Sequence, residues 1–188
     1  MNNKLLSAMK QVENFSTELN STSWVWGGLT ADIYRGRLLR EHDDLDYLTL
    51  RLHELVEPLI NMFTDAGWQV RRLENGDLKL EKDPVKIQLG HIELSQEVRW
   101  THNGELGSLF FQIDWLIQQP RHFYNIVVHV VAPEFQFGLL EHPELLNPSW
   151  RPRVKDLVAK AVLRRILEAK GINVGNLHLR IRTKEDGR

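Results

Sequence analysis

Two acids separated by one apolar residue, Asp44-Leu45-Asp46, follow a glycine pair, Gly27-Gly28. On a strand, alternate residues point to one face, so Asp44 and Asp46 converge while Leu45 turns to the core. Carboxylate oxygens suit Mg²⁺, which keeps several waters and takes one or two protein carboxylates together with substrate phosphates. Two like charges at this spacing call for a cation. The glycines admit close approach of backbone to a ligand. A strand that ends in glycines before a helix also offers free N–H groups and a helix N-terminus, both favourable to phosphate. Taken singly, the acids fit a solvated turn and the glycines an ordinary tight turn. In the order strand, glycine pair, short helix, acid-opened strand, they form a way to hold a nucleoside triphosphate against Mg²⁺.

The stretch Gly27-Gly28, Asp32, Gly36, Arg40-Glu41-His42-Asp43-Asp44-Leu45-Asp46 resembles the DNA polymerase β-like nucleotidyltransferase superfamily. It is most similar to the small lincosamide and aminoglycoside-2''-adenylyltransferases, whose spacing it keeps throughout. A weaker match is "RPRVKDLVAKAVL", similar to the late Lys-Asp helix start of that family at Lys155-Asp156. The resemblance covers roughly residues 20–165. It implies a mixed sheet flanked by helices and Mg²⁺-dependent transfer of a nucleoside monophosphate, usually AMP from ATP, to a hydroxyl, with pyrophosphate leaving. Asp44 and Asp46 would be the catalytic, metal-binding acids. Gly27, Gly28, Arg40 and Lys155 would bind the nucleotide. The acceptor would be a small molecule of aminoglycoside or lincosamide type. The resemblance leaves room for a homodimer, while charge balance and the lengths of the apolar runs lead us to expect no nucleic-acid partner and no membrane.

One position departs from the family pattern. Its third carboxylate, on a later strand, aligns with Gln88 in "VKIQLGHIEL". An amide offers a carbonyl oxygen but takes no proton from a hydroxyl near neutral pH. His91 and Glu93 are near in sequence but of opposite strand parity, unless Gly90 marks a bulge that re-aims them. The third position therefore stays open among Gln88, His91 and Glu93. Gln88 also raises an alternative: a catalytically impaired nucleotide-binding or regulatory module, antitoxin-like in role.

The elements that must carry these residues are legible in part. Leu5, Leu6, Met9, Val12, Phe15 and Leu19 recur at helical steps and predict a first helix over 2–19. Trp24-Val25-Trp26 reads as a strand, Thr30 to about Leu39 as a short helix, and Tyr47–Leu52 as a strand. A helix follows in "HELVEPLINMFTDAGW", with Pro58 tolerable only early or as a kink. "WQVRRL", "DLKLEK" and "VKIQL" read as three strands, the first two joined at Asn75-Gly76. "QEVRWTHNGELGSLFF" repeats that signal at Asn103-Gly104. "FYNIVVHVV" reads as one β run, and a C-terminal helix is expected over about 154–170. A closing strand in "NLHLRIRT" and a frayed "KEDGR" complete the reading. The expectation is one α/β (α+β) nucleotidyltransferase-like domain over 1–188, with its core at about 20–165. Trp100, Phe110, Phe111, Trp115, Phe123 and Tyr124 are candidates for an acceptor cleft. Glu97, Asp114 and Glu134 are candidate partners for a cationic acceptor.

The 188 residues are 42% hydrophobic and 26% charged, ordinary for a globular protein. A formal net charge of -1 carries no basic excess of the kind that marks nucleic-acid binders. There is no cysteine, which excludes disulfides and thiolate metal sites. No apolar run approaches the ~20 residues of a membrane helix. The expectation is a cytoplasmic protein.

Overall fold

The computed structural model describes residues 2–42, 44–101, 108–147 and 149–176. The apolar repeat of the N-terminus buries Leu5, Met9 and Val12 and forms α1 (Asn2–Glu18). β1 (Ser23–Trp26) leads through one 3-10 turn into α2 (Thr30–Arg35). β2 (Asp44–Leu50) and α3 (Leu52–Asp65) follow. Then come β3 (Gln69–Arg72), β4 (Leu78–Lys82), β5 (Val85–Leu94), β6 (Val98–Thr101) and β7 (Ser108–Phe111). A hairpin, β8 (Arg121–Phe123) and β9 (Ile126–Val130), precedes α4 (Pro133–Glu141) and α5 (Val154–Ala169).

The strands form a mixed sheet in the order β3-β4-β5-β2-β1-β9-β8, and β6 and β7 continue from the far half of β5. β2 lies at its centre, antiparallel to β1 and parallel to β5. Strand alternation sorts the side chains into two cores. Leu45, Tyr47, Ile87 and Leu89 face α1 and α3, where Met9, Leu59 and Phe63 cover them. Leu48, Ile92 and Trp100 face the other way, with Trp24, Phe111 and Phe135. A smaller cluster of Phe137, Leu163 and Leu167 fastens α5 to α4. No described helix is long and apolar enough to cross a membrane.

Several element boundaries differ from expectation. The second helix stops at Arg35, because Gly36 adopts a left-handed conformation (φ 73°) and caps it. β2 starts at Asp44 rather than Tyr47, so both acids sit on a paired strand. The expected run "FYNIVVHVV" is broken by a turn at Tyr124 (φ 53°), and Phe123 belongs to β8. β5 runs through Gly90 without a bulge, in unbroken register with β2 from Lys86 to Ile92. A Cβ at Gly90 would lie 3.1 Å from the Trp100 indole nitrogen, so this glycine makes room for an aromatic ring. Asn103-Gly104 and the segment after Asn176 lie outside the described residues.

Tyr47 is fully buried on β2, and its hydroxyl has no hydrogen-bond partner among the described residues. An unsatisfied buried polar group costs ~1–3 kcal/mol. Tyr47→Phe, which keeps the ring and removes the hydroxyl, should raise Tm by roughly 2–4 °C for each kcal/mol recovered. A lower Tm in a thermal melt would show that the hydroxyl is satisfied in solution.

Candidate nucleotide and metal site

The register of β1 on β2 places Trp26 opposite Asp46, so the chain turns off at the glycines directly beside the acids. Gly27 has φ 77°, which side-chain-bearing residues rarely adopt. A Cβ there would also stand 2.7 Å from Asp46 Oδ2. At Gly28 a Cβ would meet Arg40 Nη2 at 2.6 Å. The missing side chains thus give their space to one carboxylate and one guanidinium.

The loop that brings Arg40 back is fixed from α2. The buried Asp32 carboxylate accepts the Leu39 backbone N–H (2.8 Å) and pairs with His42 Nε2 (2.9 Å). His42 is itself buried and acts as a hydrogen-bonding strut within the fold. The Arg40 guanidinium donates from Nη1 to the Glu41 carbonyl oxygen (2.8 Å).

Gly27, Gly28, Arg40, Asp44, Asp46 and Lys155 line one cleft of about 180 Å³. The cleft also has an apolar lining from Trp26, Leu139, Leu140, Pro143, Leu146 and Trp150. Arg153 and Lys155 stand at the start of α5. The Arg153 backbone N–H donates to Asp156 Oδ2 (2.9 Å), and its guanidinium bonds both Asp156 oxygens (2.8 and 3.1 Å). Burial opposes the charge on Asp156, but these bonds and the nearby cations outweigh it and hold the carboxyl below its ordinary range. This knot anchors the basic end of the cleft.

Asp46 is pushed the other way, up to about 7, first by burial and then by the charge of Asp44, against the pull of Lys155 and Arg153. The acid pair is therefore under electrostatic stress that a divalent cation relieves. Two carboxylates, with water and phosphate oxygens for the rest, suit Mg²⁺. Among the described residues no three His, Asp or Glu side chains gather closely enough to hold a metal ion.

Register separates the three candidates for the third position. Gln88 pairs with Asp46 across β2 and β5 and shares its face. Its Nε2 donates to Asp77 Oδ2 (3.1 Å), a fully buried carboxylate that also accepts the His91 backbone N–H (3.0 Å). His91 and Glu93 fall on the other face. The His91 ring meets His53 edge-on, with centroids 4.7 Å apart, and its Nε2 lies 3.4 Å from Glu93 Oε1. Glu93 is exposed and also pairs with Arg99 (3.4 Å).

The aromatic candidates lie elsewhere. Trp100, Phe111, Trp115 and Phe123 are buried in the cores, and neither Phe110 nor Tyr124 lines the cleft. Asp114 is exposed, Glu134 approaches Lys170 (3.9 Å), and neither they nor Glu97 line the cleft. Sequence reasoning missed Arg153, Gln136 and the apolar wall. A signal for the wall existed in Pro133 followed by Glu134, which marks a helix start.

Comparison with known proteins agrees with this architecture. Residues 8–97 match the family model described as aminoglycoside-2''-adenylyltransferase. No curated protein sequence matches the chain. The solution structure of the antibiotic-resistance factor ANT(2'')-Ia superposes with TM-score 0.64 at 17% identity, over 94% of this chain and 90% of that one. The crystal structure of ANT(2'')-Ia with adenylyl-2''-tobramycin gives 0.63 at 17% identity, over 93% and 94%. The lincomycin-bound lincosamide antibiotic adenylyltransferase LnuA gives 0.63 at 18% identity, over 82% and 93%. The fold is that of a nucleotidyltransferase. The sequence similarity to the aminoglycoside-2''-adenylyltransferase family lies in residues 8–97, just under half of the chain.

Because the folded-state pKa of Asp46 lies above its unfolded value, the folded protein retains a proton that the unfolded chain releases. Metal-free stability should therefore fall as pH rises from about 4 to about 7. Asp46→Asn should melt higher than wild type at pH 8 without divalent ions, with the gap closing toward pH 4. An equal gap at both pH values in calorimetric scans would remove the electrostatic account. Gly27→Ala should lower Tm, since both φ and Asp46 oppose it. Gly28→Ala should leave Tm nearly unchanged, because only the flexible tip of Arg40 must shift.

Proposed function

We propose that this protein transfers a nucleoside monophosphate, AMP from ATP, to a hydroxyl of an antibiotic-like small molecule. The reading is carried by one observation: Gly27, Gly28, Arg40, Asp44, Asp46 and Lys155, drawn from four separate parts of the chain, line a single cleft. The named structures with the same fold, one in complex with adenylyl-2''-tobramycin and one lincomycin-bound, support the choice of acceptor class.

In this reading Asp44 and Asp46 hold Mg²⁺, which when bound neutralises the triphosphate and polarises the reacting phosphoryl group. Arg40 and Lys155, which line the cleft with the acids, bind phosphate oxygens, and Arg153 adds positive charge from the start of α5. The apolar wall from Trp26 to Trp150 seats a flat, weakly polar group and excludes water. Gln88, pinned through its amide nitrogen to Asp77, keeps its carbonyl oxygen available to bind and orient. It does not accept the proton of the acceptor hydroxyl.

That last point favours a second reading, a nucleotide-binding module without turnover, supported by the absence of a third acid beside Asp44 and Asp46 among the described residues. Isotope-labelled ATP incubated with Mg²⁺ and a panel of aminoglycosides and lincosamides separates the two. Adenylylated product supports the first reading. Mg²⁺-dependent ATP binding with no product supports the second, and no binding at all removes both. Asp44→Asn and Asp46→Asn should each lower turnover by more than the roughly 10–100-fold that changes outside the ligand shell cost a metal site. Gln88→Asp should lower Tm more at pH 8 than at pH 5, since it trades a donor to Asp77 for a second carboxylate. A pH-independent loss would show that packing, not charge, sets the residue at 88.

A further inference from the structure

The Gly27 N–H is the first backbone donor of the glycine turn, yet it is already engaged. It donates to Gln136 Oε1 at 2.6 Å, from β1's end to the middle of α4. A backbone N–H can only donate, so this bond decides which end of the carboxamide faces Gly27. The other end, Nε2 with two N–H donors, is left free of that bond. Gln136 is 4% exposed and lines the same cleft as Asp44, Asp46 and Arg40. Its Nε2 is not among the buried unpartnered polar atoms, so it opens on the cleft, where its N–H groups can meet a ligand acceptor.

Which acceptor it meets follows from position. Gln136 Oε1 is one hydrogen bond from Gly27, and Gly27 packs against Asp46. The amide therefore serves the charged end of the cleft, not the apolar wall of Leu146 and Trp150. Ligand groups at that end are phosphate oxygens, which accept and do not donate. A carboxylate at the same place would repel them, whereas a neutral donor satisfies them without adding charge.

Building on the nucleotide reading above, we propose that Gln136 is a phosphate-contacting residue that relays the donor of the glycine turn: its carbonyl takes the Gly27 N–H and its amide presents N–H groups to the triphosphate. The glycine turn and α4 then act as one unit. Gln136 fixes the turn in the absence of ligand and contributes directly when nucleotide binds.

Two substitutions separate these duties. Gln136→Glu keeps an oxygen for Gly27 and removes the donor. Gln136→Leu keeps the approximate volume and removes both functions. Calorimetry with ATP, ADP and AMP, each with Mg²⁺, should show both variants weakened roughly tenfold or more for ATP, the scale of a hydrogen bond to a charged group. The penalty should shrink as phosphates are removed. Hydrogen exchange read by NMR should find the Gly27 amide protected in wild type and Gln136→Glu but exposed in Gln136→Leu, and thermal melts check that both variants fold. If wild type binds ATP and both variants bind it equally well, the relay is overturned while the nucleotide reading stands. Tighter binding by Gln136→Leu also overturns it, since Gln136 would then be competing with phosphate for Gly27. If wild type binds no nucleotide, the nucleotide reading falls and the relay with it.

Discussion

Asp44 and Asp46 stand on one face of β2, and burial adds to their mutual repulsion at Asp46. A pair of like charges in a half-enclosed cleft is unfavourable unless something positive comes near. The chain answers from three directions. Arg40 returns on a loop held by Asp32, Lys155 and Arg153 come from the start of α5, and the glycine turn brings backbone rather than side chain against the carboxylate. None of these groups neutralises the pair completely, which leaves the acids ready for a cation. The packing of α5 on α4 through Phe137, Leu163 and Leu167 is therefore tied to the electrostatics of the cleft.

The same constraint explains why the part of the chain from Trp24 to Asp46 was the most legible. Gly27 leaves space for Asp46 and Gly28 for Arg40, and Asp44 shares a strand face with Asp46, so composition and spacing encode the arrangement. The register of β1 on β2 converts that spacing into geometry without help from distant residues. Strand parity likewise separated Gln88 from His91 and Glu93, because β5 runs straight through Gly90.

What stayed hidden depends on long-range packing. α4 buries Phe135, Gln136, Phe137, Gly138 and Leu139 in succession, so it lacks the one-sided apolar periodicity by which a helix is read. Its contribution to the cleft was invisible for that reason. Asp77 follows Asn75-Gly76 and looks like an ordinary turn acid, but pairing of β4 with β5 buries it behind Gln88. The aromatic residues of the second half looked like a binding surface. They are needed to fill the second core, where Phe111 and Phe135 lie 4.4 Å apart and Trp26 meets Trp100 at 4.6 Å.

β5 has a division of labour along its length. Residues Val85–Leu89 pair with β4, and Ile92–Leu94 pair with β6, while β2 spans the join from its other edge. The residue facing the acids, Gln88, belongs to the first portion. β6 takes its strand pairing with β5 from the second alone. Evolution can thus remodel the β6–β7 hairpin, in length or in composition, as an interchangeable module. The alignment of Gln88 with Asp46 would be inherited unchanged, because it is fixed by the pairing of β5 with β2 and β4 over Lys86–Leu89, which β6 does not join.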